Sequence, residues 1–282
     1  MKKKSIQILT DYGSSYGIGH YIRCTDIQGE LIKRGYNVKI IKSSENKINN
    51  TCDLYIIDLP YDMSGFIEKY IKKKSKVLTL EYFKTSAVPD LNISVLDFPV
   101  EMRSKNTSSS LNYIIIRNEI RSAKNDLRSN LDYGIIMLGG SLNLKLLKKI
   151  LSKINDLNKP IKIIVNHHQN IPKVDNKNIE ILVNPDDLPE LMNRCTWCVT
   201  NGGITMLEMI YLQKNIFVFP QTETEIRLAK IMLKEMLILS INPHIIDNSN
   251  NNIPKSLKSN KVFDGLGSIR IADKIDSLLY EV

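Results

Sequence analysis

Tryptophan and cysteine are scarce here, with one Trp and four Cys in 282 residues. A lone Trp, with no stretch interleaving basic and aromatic side chains, argues against a nucleic-acid groove, where bases stack on aromatics beside phosphate-binding cations. The cysteines are Cys24, Cys52, Cys195 and Cys198. Four thiols could pair in an extracellular protein, but a reducing compartment is the expectation for this chain. Cys195-Thr196-Trp197-Cys198 has metal or redox spacing, yet no second pair supports a zinc site and the segment is apolar and strand-like. Buried free thiols are expected there. His167-His168 is equally isolated, so no metal and no cofactor is expected. Also missing is any run approaching the roughly 20 apolar residues that span a bilayer. Met1-Lys2-Lys3-Lys4 opens like a signal peptide, but Ser5, Gln7, Thr10 and Asp11 leave no adequate apolar core behind it. The expected location is cytoplasmic, without stable membrane insertion, although peripheral contact is compatible with the composition. No internal repeat occurs, and the one Asn-rich tract is Asp247 to Asn252.

What is present suffices for a large core: 43% of the residues are hydrophobic, and the length suits two domains of ordinary size. A net charge of +9 favours anionic partners, among them nucleotides, anionic lipid surfaces and nucleic acid. Much of the excess lies in Lys72 to Lys74 and in Lys145, Lys148 and Lys149, which read as solvated helix faces.

The organising stretch is Asp11 to Cys24, DYGSSYGIGHYIRC. It follows the apolar run Ile6 to Leu9 and precedes a helix-like segment from about His20 to Arg34, capped by Gly35, so it reads as strand, glycine loop, helix. Gly17 and Gly19 let backbone approach a bound group, and the amides opening the helix form an anion site. His20 at that junction can exchange protons near neutral pH. The competing reading is structural, because His20, Cys24, Ile27 and Leu31 share a helix face and His20 could be a core residue.

Strands are expected at Val38 to Ile41, at Leu54 to Ile57 ending on Asp58, and at Val77 to Leu80 after a Ser64 to Lys74 helix. Alternation of this kind implies a parallel sheet with its ligands beyond the carboxyl ends of the strands, where Asp11, Asp58 and Glu81 fall. Ser104 to Ser110 reads as a polar surface loop, Tyr113 to Ile116 as a strand, and Arg117 to Asn130 as a charged helix holding the domain boundary. The second half restarts with a Tyr133 to Leu138 strand running into Gly139-Gly140-Ser141 and a lysine-rich helix. Those glycines permit close phosphate approach and Ser141 can cap or donate, although an ordinary glycine-rich turn would look the same.

After a strand at Trp197 to Thr200 comes Asn201-Gly202-Gly203-Ile204-Thr205-Met206-Leu207-Glu208. Helical spacing puts Thr205 and Glu208 on one face. Amides after Gly203 can hold a diphosphate and Glu208 can accept both ribose hydroxyls, although a glutamate there also compensates a helix dipole. Following the Ile216 to Phe219 strand, Thr222 and Glu225 have the spacing of a capping box. Gly267 to Val282 reads as an amphipathic helix with Ile271, Ile275, Leu278 and Leu279 toward a core.

Two windows carry a family resemblance. Asp11, Ser14, Gly17, Gly19, His20 and Arg23 resemble the amino-terminal signature of the nucleotide-sugar hydrolases of the pseudaminic acid pathway. Those enzymes cleave UDP-2,4-diacetamido-2,4,6-trideoxy-β-L-altropyranose to UDP and free sugar. The window Asn201 to Glu208 resembles the nucleotide-binding motif of GT-B enzymes, including the N-acetylglucosaminyl transferase of peptidoglycan synthesis. The resemblance implies an α/β GT-B fold, two Rossmann-like domains with a ligand cleft between them: residues 1–120, a connecting helix 121–132, residues 133–265, and a helix 266–282 that can cross back to the first domain. It implies a UDP-sugar substrate, His20 as base on water, Asp11 and Tyr61 as its catalytic companions, and inversion without a metal. Ser14, Gly17, Gly19, Arg23, Gly140, Ser141, Gly202, Gly203, Thr205, Glu208, Thr224 and Glu225 are then the binding residues.

Two departures from the family stand in the sequence. Pro60 occupies the family's tyrosine position, with Tyr61 displaced by one, and Thr224-Glu225 stands where the family has Asn-Gln. They keep open an inverting GT-B glycosyltransferase, in which His20 activates an acceptor hydroxyl, and a non-catalytic sugar-nucleotide binder.

Overall fold

The computed structural model describes residues 3–13, 19–44, 52–97, 101, 104–124, 131–139, 143–154, 159–166, 176–246 and 263–280. The chain divides into two compact units, Met1–Arg117 with Val262–Val282, and Asn118–Lys261.

In the first unit, β1 (Ser5–Thr10), β2 (Asn37–Lys42), β3 (Leu54–Asp58), β4 (Lys76–Leu80), β5 (Leu91–Ser94) and β6 (Thr107–Ser109) form one sheet in the order β2-β1-β3-β4-β5-β6. Every pairing is parallel. All five residues of β3 and the last five of β1 are buried, as expected of strands covered on both faces. The chain leaves β1 to one side for β2 and returns on the other for β3, which puts the topological switch point at the carboxyl ends of β1 and β3.

Helix α1 (Gly19–Lys33) buries Cys24, Ile27 and Leu31 against this sheet. It ends in a Schellman motif: Gly35, at φ +90, donates to Ile32 O at 2.9 Å, and Tyr36 N donates to Leu31 O at 3.1 Å. The last helix, α8 (Gly267–Tyr280), sends Ile271, Ala272 and Ile275 into the core that holds Ile27 and Leu31. Arg34 fixes it from α1, with Nη1 at 2.6 Å from Asp276 and 2.8 Å from Asp273. Gly267 starts this helix so close to other backbone that a Cβ would lie 2.3 Å from Tyr113 O.

Two expectations fail in this unit. Tyr113 to Ile116 is not a sheet strand. Leu111–Tyr113 forms a 3-10 turn capped by Ser110, and Ile115 bridges Leu266 while Ile116 N donates to Gly265 O at 3.1 Å. Its apolar residues thus serve the approach to α8. Ser104 to Ser110, expected as a loop, contains the edge strand β6, ordered by β5 rather than by any apolar pattern of its own. Between β3 and β4 stands α2 (Ser64–Ile71).

The second unit contains α3 (Asn118–Lys124), β7 (Gly134–Met137), α4 (Leu144–Leu151), β8 (Ile161–Val165), β9 (Ile179–Val183), α5 (Leu188–Arg194), β10 (Trp197–Thr200), α6 (Ile204–Tyr211), β11 (Asn215–Val218), α7 (Glu223–Lys234) and β12 (Ser240–Ile241). Its sheet order is β12-β11-β10-β7-β8-β9, again all parallel. The switch point lies between β7 and β10, whose last residues Met137 and Thr200 are register partners. Gly134 opens β7 because Trp197 fills the space beside it, with ring atoms 2.1 Å from where a Cβ would stand. Cys195 and Cys198 are buried free thiols, and burial pushes the Cys195 thiol up to about 12. None of the described helices is long and apolar enough to cross a membrane.

Candidate functional site

The switch point of the first unit gathers charged side chains. Asp11 follows β1, Asp58 ends β3, and Glu81 follows β4. Because Thr10 and Asp58 are register partners across β1 and β3, the two aspartates emerge side by side. The Asp58 side chain is 1% exposed, and its partners come from α1. His20 Nδ1 stands 2.7 Å from Oδ1; Arg23 places Nη2 2.6 Å from Oδ1 and Nε 2.8 Å from Oδ2. The three-residue spacing of His20 and Arg23 brings both to one carboxylate.

Burial alone would raise the Asp58 pKa, but Arg23 and then His20 hold the carboxyl far below the usual carboxylate range. An ionised carboxylate only accepts hydrogen bonds, so Nδ1 of His20 carries a proton and donates it to Asp58. Arg23 Nη2 also lies 3.4 Å from Nδ1, and with both groups donating to Asp58 that approach is proximity rather than a bond. In the neutral ring, Nε2 is then the nitrogen with the lone pair. His20 is therefore not a core residue: its side chain is 28% exposed, whereas Cys24, Ile27 and Leu31 on the same helix are wholly buried.

Beside this dyad is a second cluster. Asp11 accepts from Ser43 Oγ at 2.6 Å and from the Tyr61 phenol, which also contacts Ser43. The displaced tyrosine thus reaches Asp11 despite Pro60. Glu81 lies behind Arg23, accepting from Val95 N at 2.8 Å and Ser94 Oγ at 3.1 Å, and burial raises its pKa while Arg23 opposes the shift. Gly19 opens α1, and Ser14 and Gly17 lie outside the described residues.

At the switch point of the second unit the chain offers backbone instead. Gly139 (φ +83) and Gly202 (φ +98) take left-handed conformations at the ends of β7 and β10. A Cβ on Gly202 would meet Val218 Cγ1 at 3.2 Å and Glu225 O at 3.3 Å. Gly203 is the N-cap of α6 and supplies no side chain to the first amides of that helix. Thr205 is half-buried, and Glu208 one turn on is 2% exposed. Gly140 and Ser141 lie outside the described residues, as do His167 and His168.

Glu225 has a structural task. Thr222 Oγ1 accepts from Glu225 N at 3.2 Å, and Glu225 Oε2 accepts from Gln221 N at 2.7 Å and Thr222 N at 3.2 Å, completing the capping box of α7. Its other oxygen, Oε1, accepts from Asn201 Nδ2 at 2.5 Å, tying this cap to the glycine turn after β10. Thr224 is exposed. Among the described residues no group of three or more His, Cys, Asp or Glu is placed to hold a metal ion.

Ser43 escapes a reading of the sequence, which gives it no motif. Asp58 and Asn201 stand out there, as a strand-end carboxylate and as part of a motif, but the link of Asp58 to His20 and that of Asn201 to Glu225 do not. The parallel register that sets Asp58 beside Thr10 was the available signal for its link to His20.

No family model matches the chain. An uncharacterised protein of Methanocaldococcus jannaschii is 26% identical, the alignment covering 84% of this chain and 60% of the relative, so the chain spans about 60% of that protein's length. Among solved structures, it is similar to the glycotransferase of kitacinnamycin, with TM-score 0.61, 10% identity, and 99% of this chain and 100% of that chain covered. It is also similar to MurG of Acinetobacter baumannii, with TM-score 0.58, 11% identity, and 99% and 100% covered. A third is the UDP-GlcNAc 2-epimerase of Methanocaldococcus jannaschii in complex with UDP-GlcNAc and UDP, with TM-score 0.60, 12% identity, and 96% and 99% covered. The fold is GT-B, two Rossmann-like units, each with a six-stranded parallel sheet.

Proposed function

We propose that this chain is an inverting GT-B enzyme that transfers the glycosyl group of a UDP-sugar to an acceptor hydroxyl. The observation that carries the reading is His20 Nδ1 held 2.7 Å from the buried Asp58 carboxylate, which makes Nε2 of the neutral ring the nitrogen that can accept a proton. In the reaction, Nε2 takes the acceptor proton as the acceptor oxygen bonds to the anomeric carbon. The anomeric C–O bond to the diphosphate breaks with its electron pair leaving on UDP, and the configuration inverts. Asp58 balances the imidazolium so formed, and Arg23 holds Asp58 ionised throughout.

UDP is assigned to the second unit. The amides opening α6 after Gly202 and Gly203, with Gly140 and Ser141, take the diphosphate, and Thr205 and Glu208 take the nucleoside. Asp11 and Tyr61, with Gly19, line the sugar side; Ser14 and Gly17 belong to the same signature. Thr224 adds a donor, and Glu225 acts by fixing Asn201 rather than by binding sugar. The bilobal plan, with residues 1–120 bearing the base and 133–265 the nucleotide, is part of this proposal, and so is a cytoplasmic setting.

A second reading keeps the same base and makes water the nucleophile, releasing free sugar. The hydrolase-like signature of residues 11–24 favours it, and the transferases among the structural neighbours favour the first. Incubation with UDP-, GDP- and CMP-sugars, monitored by chromatography for free nucleotide with and without saccharide acceptors, separates the two. Acceptor-dependent UDP release supports transfer; equal release without acceptor supports hydrolysis. Binding of UDP with no turnover across the panel overturns both. Replacing His20 by Ala should cut turnover by roughly a hundredfold or more, and near-normal turnover would remove His20 as the base.

A further inference from the structure

We infer that Tyr12 and Tyr21, backed by Lys42, form an aromatic shelf that takes the pyranose ring of a saccharide acceptor beside His20. This inference rests on the proposed glycosyl transfer and names the acceptor class of that same site.

The shelf is built at the carboxyl edge of the sheet. Thr10 and Lys42 are register partners at the ends of β1 and β2, so the residues just beyond, Asp11 with Tyr12 and Ser43, emerge together. Tyr21 follows His20 in the first turn of α1. Its ring stands 4.5 Å from that of Tyr12, centroid to centroid, tilted by 45°. Lys42 Nζ lies 4.0 Å from the Tyr12 centroid, a cation–π contact that holds the ring from the β2 side.

Exposure separates these rings from the core tyrosines of the same unit. Tyr12, Tyr21 and Tyr61 are 36%, 37% and 38% exposed, whereas Tyr55, Tyr70 and Tyr82 in the same unit are buried. Four tyrosines are exposed among the described residues, and three of them stand at this one end of one sheet, around Asp11. Tyr61 is spent on Asp11 and Ser43, whereas among the described residues the ring contacts of Tyr12 and Tyr21 are with each other and with the Lys42 cation. Such a pair matches the flat C–H face of a pyranose, which the electron-rich faces of aromatic rings attract.

Position selects the acceptor over the sugar donor. Adjacent strands are about 4.8 Å apart, so β2 lies two strand spacings from β3, where Asp58 holds His20. Tyr12, just beyond the end of β1, stands one such spacing from β3, about the width of one sugar ring. A ring resting on the shelf extends from the β2 side toward the imidazole, with a hydroxyl as the leading group. Water as sole nucleophile would need no such surface.

The test uses methyl pyranosides as probes and the intact chain. Saturation-transfer NMR should show ring protons of one or more methyl pyranosides receiving magnetisation from the wild-type protein. Tyr21→Ala and Tyr12→Ala should lose that signal, and Tyr21→Phe should keep it, since stacking needs the ring and not the hydroxyl. In turnover assays with UDP-sugar, Tyr21→Ala should raise the KM for the glycoside acceptor by about tenfold while the KM for UDP-sugar holds. Circular dichroism confirms that each variant folds. The inference is overturned if no methyl pyranoside binds the wild type, if Tyr21→Ala binds as well as the wild type, or if uridine displaces the glycoside, which would assign the shelf to the base. The NMR arm reads the shelf even if no UDP-sugar turns over, so failure of the proposed function and failure of this inference are distinguishable.

Discussion

The Asp58–Arg23 pair can be tested by a double-mutant cycle in which charge removal from both sides costs less than removal from one. Asp58 is fully buried and Arg23 meets it through two hydrogen bonds. Asp58→Asn leaves a half-buried guanidinium without its counter-ion, and Arg23→Met leaves a buried carboxylate with only His20 beside it. Breaking one side of a buried pair typically costs about 3–5 kcal/mol, a large part of the roughly 5–15 kcal/mol that holds an ordinary domain. The double variant buries no uncompensated charge, so its loss should fall short of the sum by about 2 kcal/mol or more. Urea unfolding followed by circular dichroism at pH 7 measures all four corners. The pH dependence has a fixed sign. Because the folded Asp58 pKa is depressed, its stabilisation is complete above the unfolded value of about 3.9 and is lost as pH falls through that value toward the folded one. Asp58→Asn should therefore unfold with less dependence on acid than the wild type. Turnover supplies the second axis: without the carboxylate the imidazole tautomer is no longer fixed, and the rate should drop by roughly 10²–10⁴. Strictly additive single losses, or an Asp58→Asn variant as active and stable as the parent, would refute the argument.

Glu225→Gln should retain most of the α7 cap, since the amide oxygen still accepts from Gln221 N or Thr222 N, whereas Glu225→Ala should cost about 1–2 kcal/mol in thermal or urea unfolding. Gly267→Ala should destabilise the first unit by about 1–3 kcal/mol, read as a lower urea midpoint, because the new Cβ would stand 2.3 Å from Tyr113 O. The two glycines before α6 should behave differently. Gly202→Ala places a side chain at φ +98 beside Val218 and should lower stability, whereas a Cβ on Gly203 meets nothing nearer than 3.7 Å and should leave it nearly unchanged. Calorimetry should nevertheless show Gly203→Ala binding UDP about tenfold more weakly, if a diphosphate approaches that backbone.

Much of this fold was legible from apolar runs bounded by glycine and charge. Trp197–Thr200 is a strand at the residues its pattern indicates, and Thr222 with Glu225 caps α7 as the spacing suggests. The failures have physical causes. Tyr113 to Ile116 is as apolar as a buried strand, but its hydrogen bonds go to the chain before α8, more than 140 residues away. Thr107–Ser109 has no apolar pattern at all and is ordered by its neighbour β5. At the candidate site, the glycine windows and His20 stood out because local chemistry demands unusual residues there. The partnership of His20 with Asp58 did not, since it spans 38 positions and depends on register rather than on a motif. Glu225 illustrates the reverse difficulty: one glutamate satisfies both a helix-capping and a ligand-binding pattern, and only the positions of its two oxygens show the capping task.

The two units solve one topological problem with different chemistry. Each has a parallel sheet whose chain order reverses at one point, the place where sheets of this kind take their ligands. The first fills it with titratable side chains, Asp11, Asp58, His20 and Arg23; the second fills it with glycines and a helix whose first amides have no side-chain cap. That division suits a displacement with two unlike ends. An attacking hydroxyl must lose a proton, which requires one oriented base and a buried charge to balance it. A leaving diphosphate loses no proton and spreads its charge over several oxygens, so it is best met by several amides at close range, which side chains would obstruct. Residues of one kind exchanged for the other would serve neither end, since a glycine turn accepts no proton and a buried carboxylate repels a phosphate. The asymmetry of the two switch points is therefore what the proposed group transfer requires of this fold.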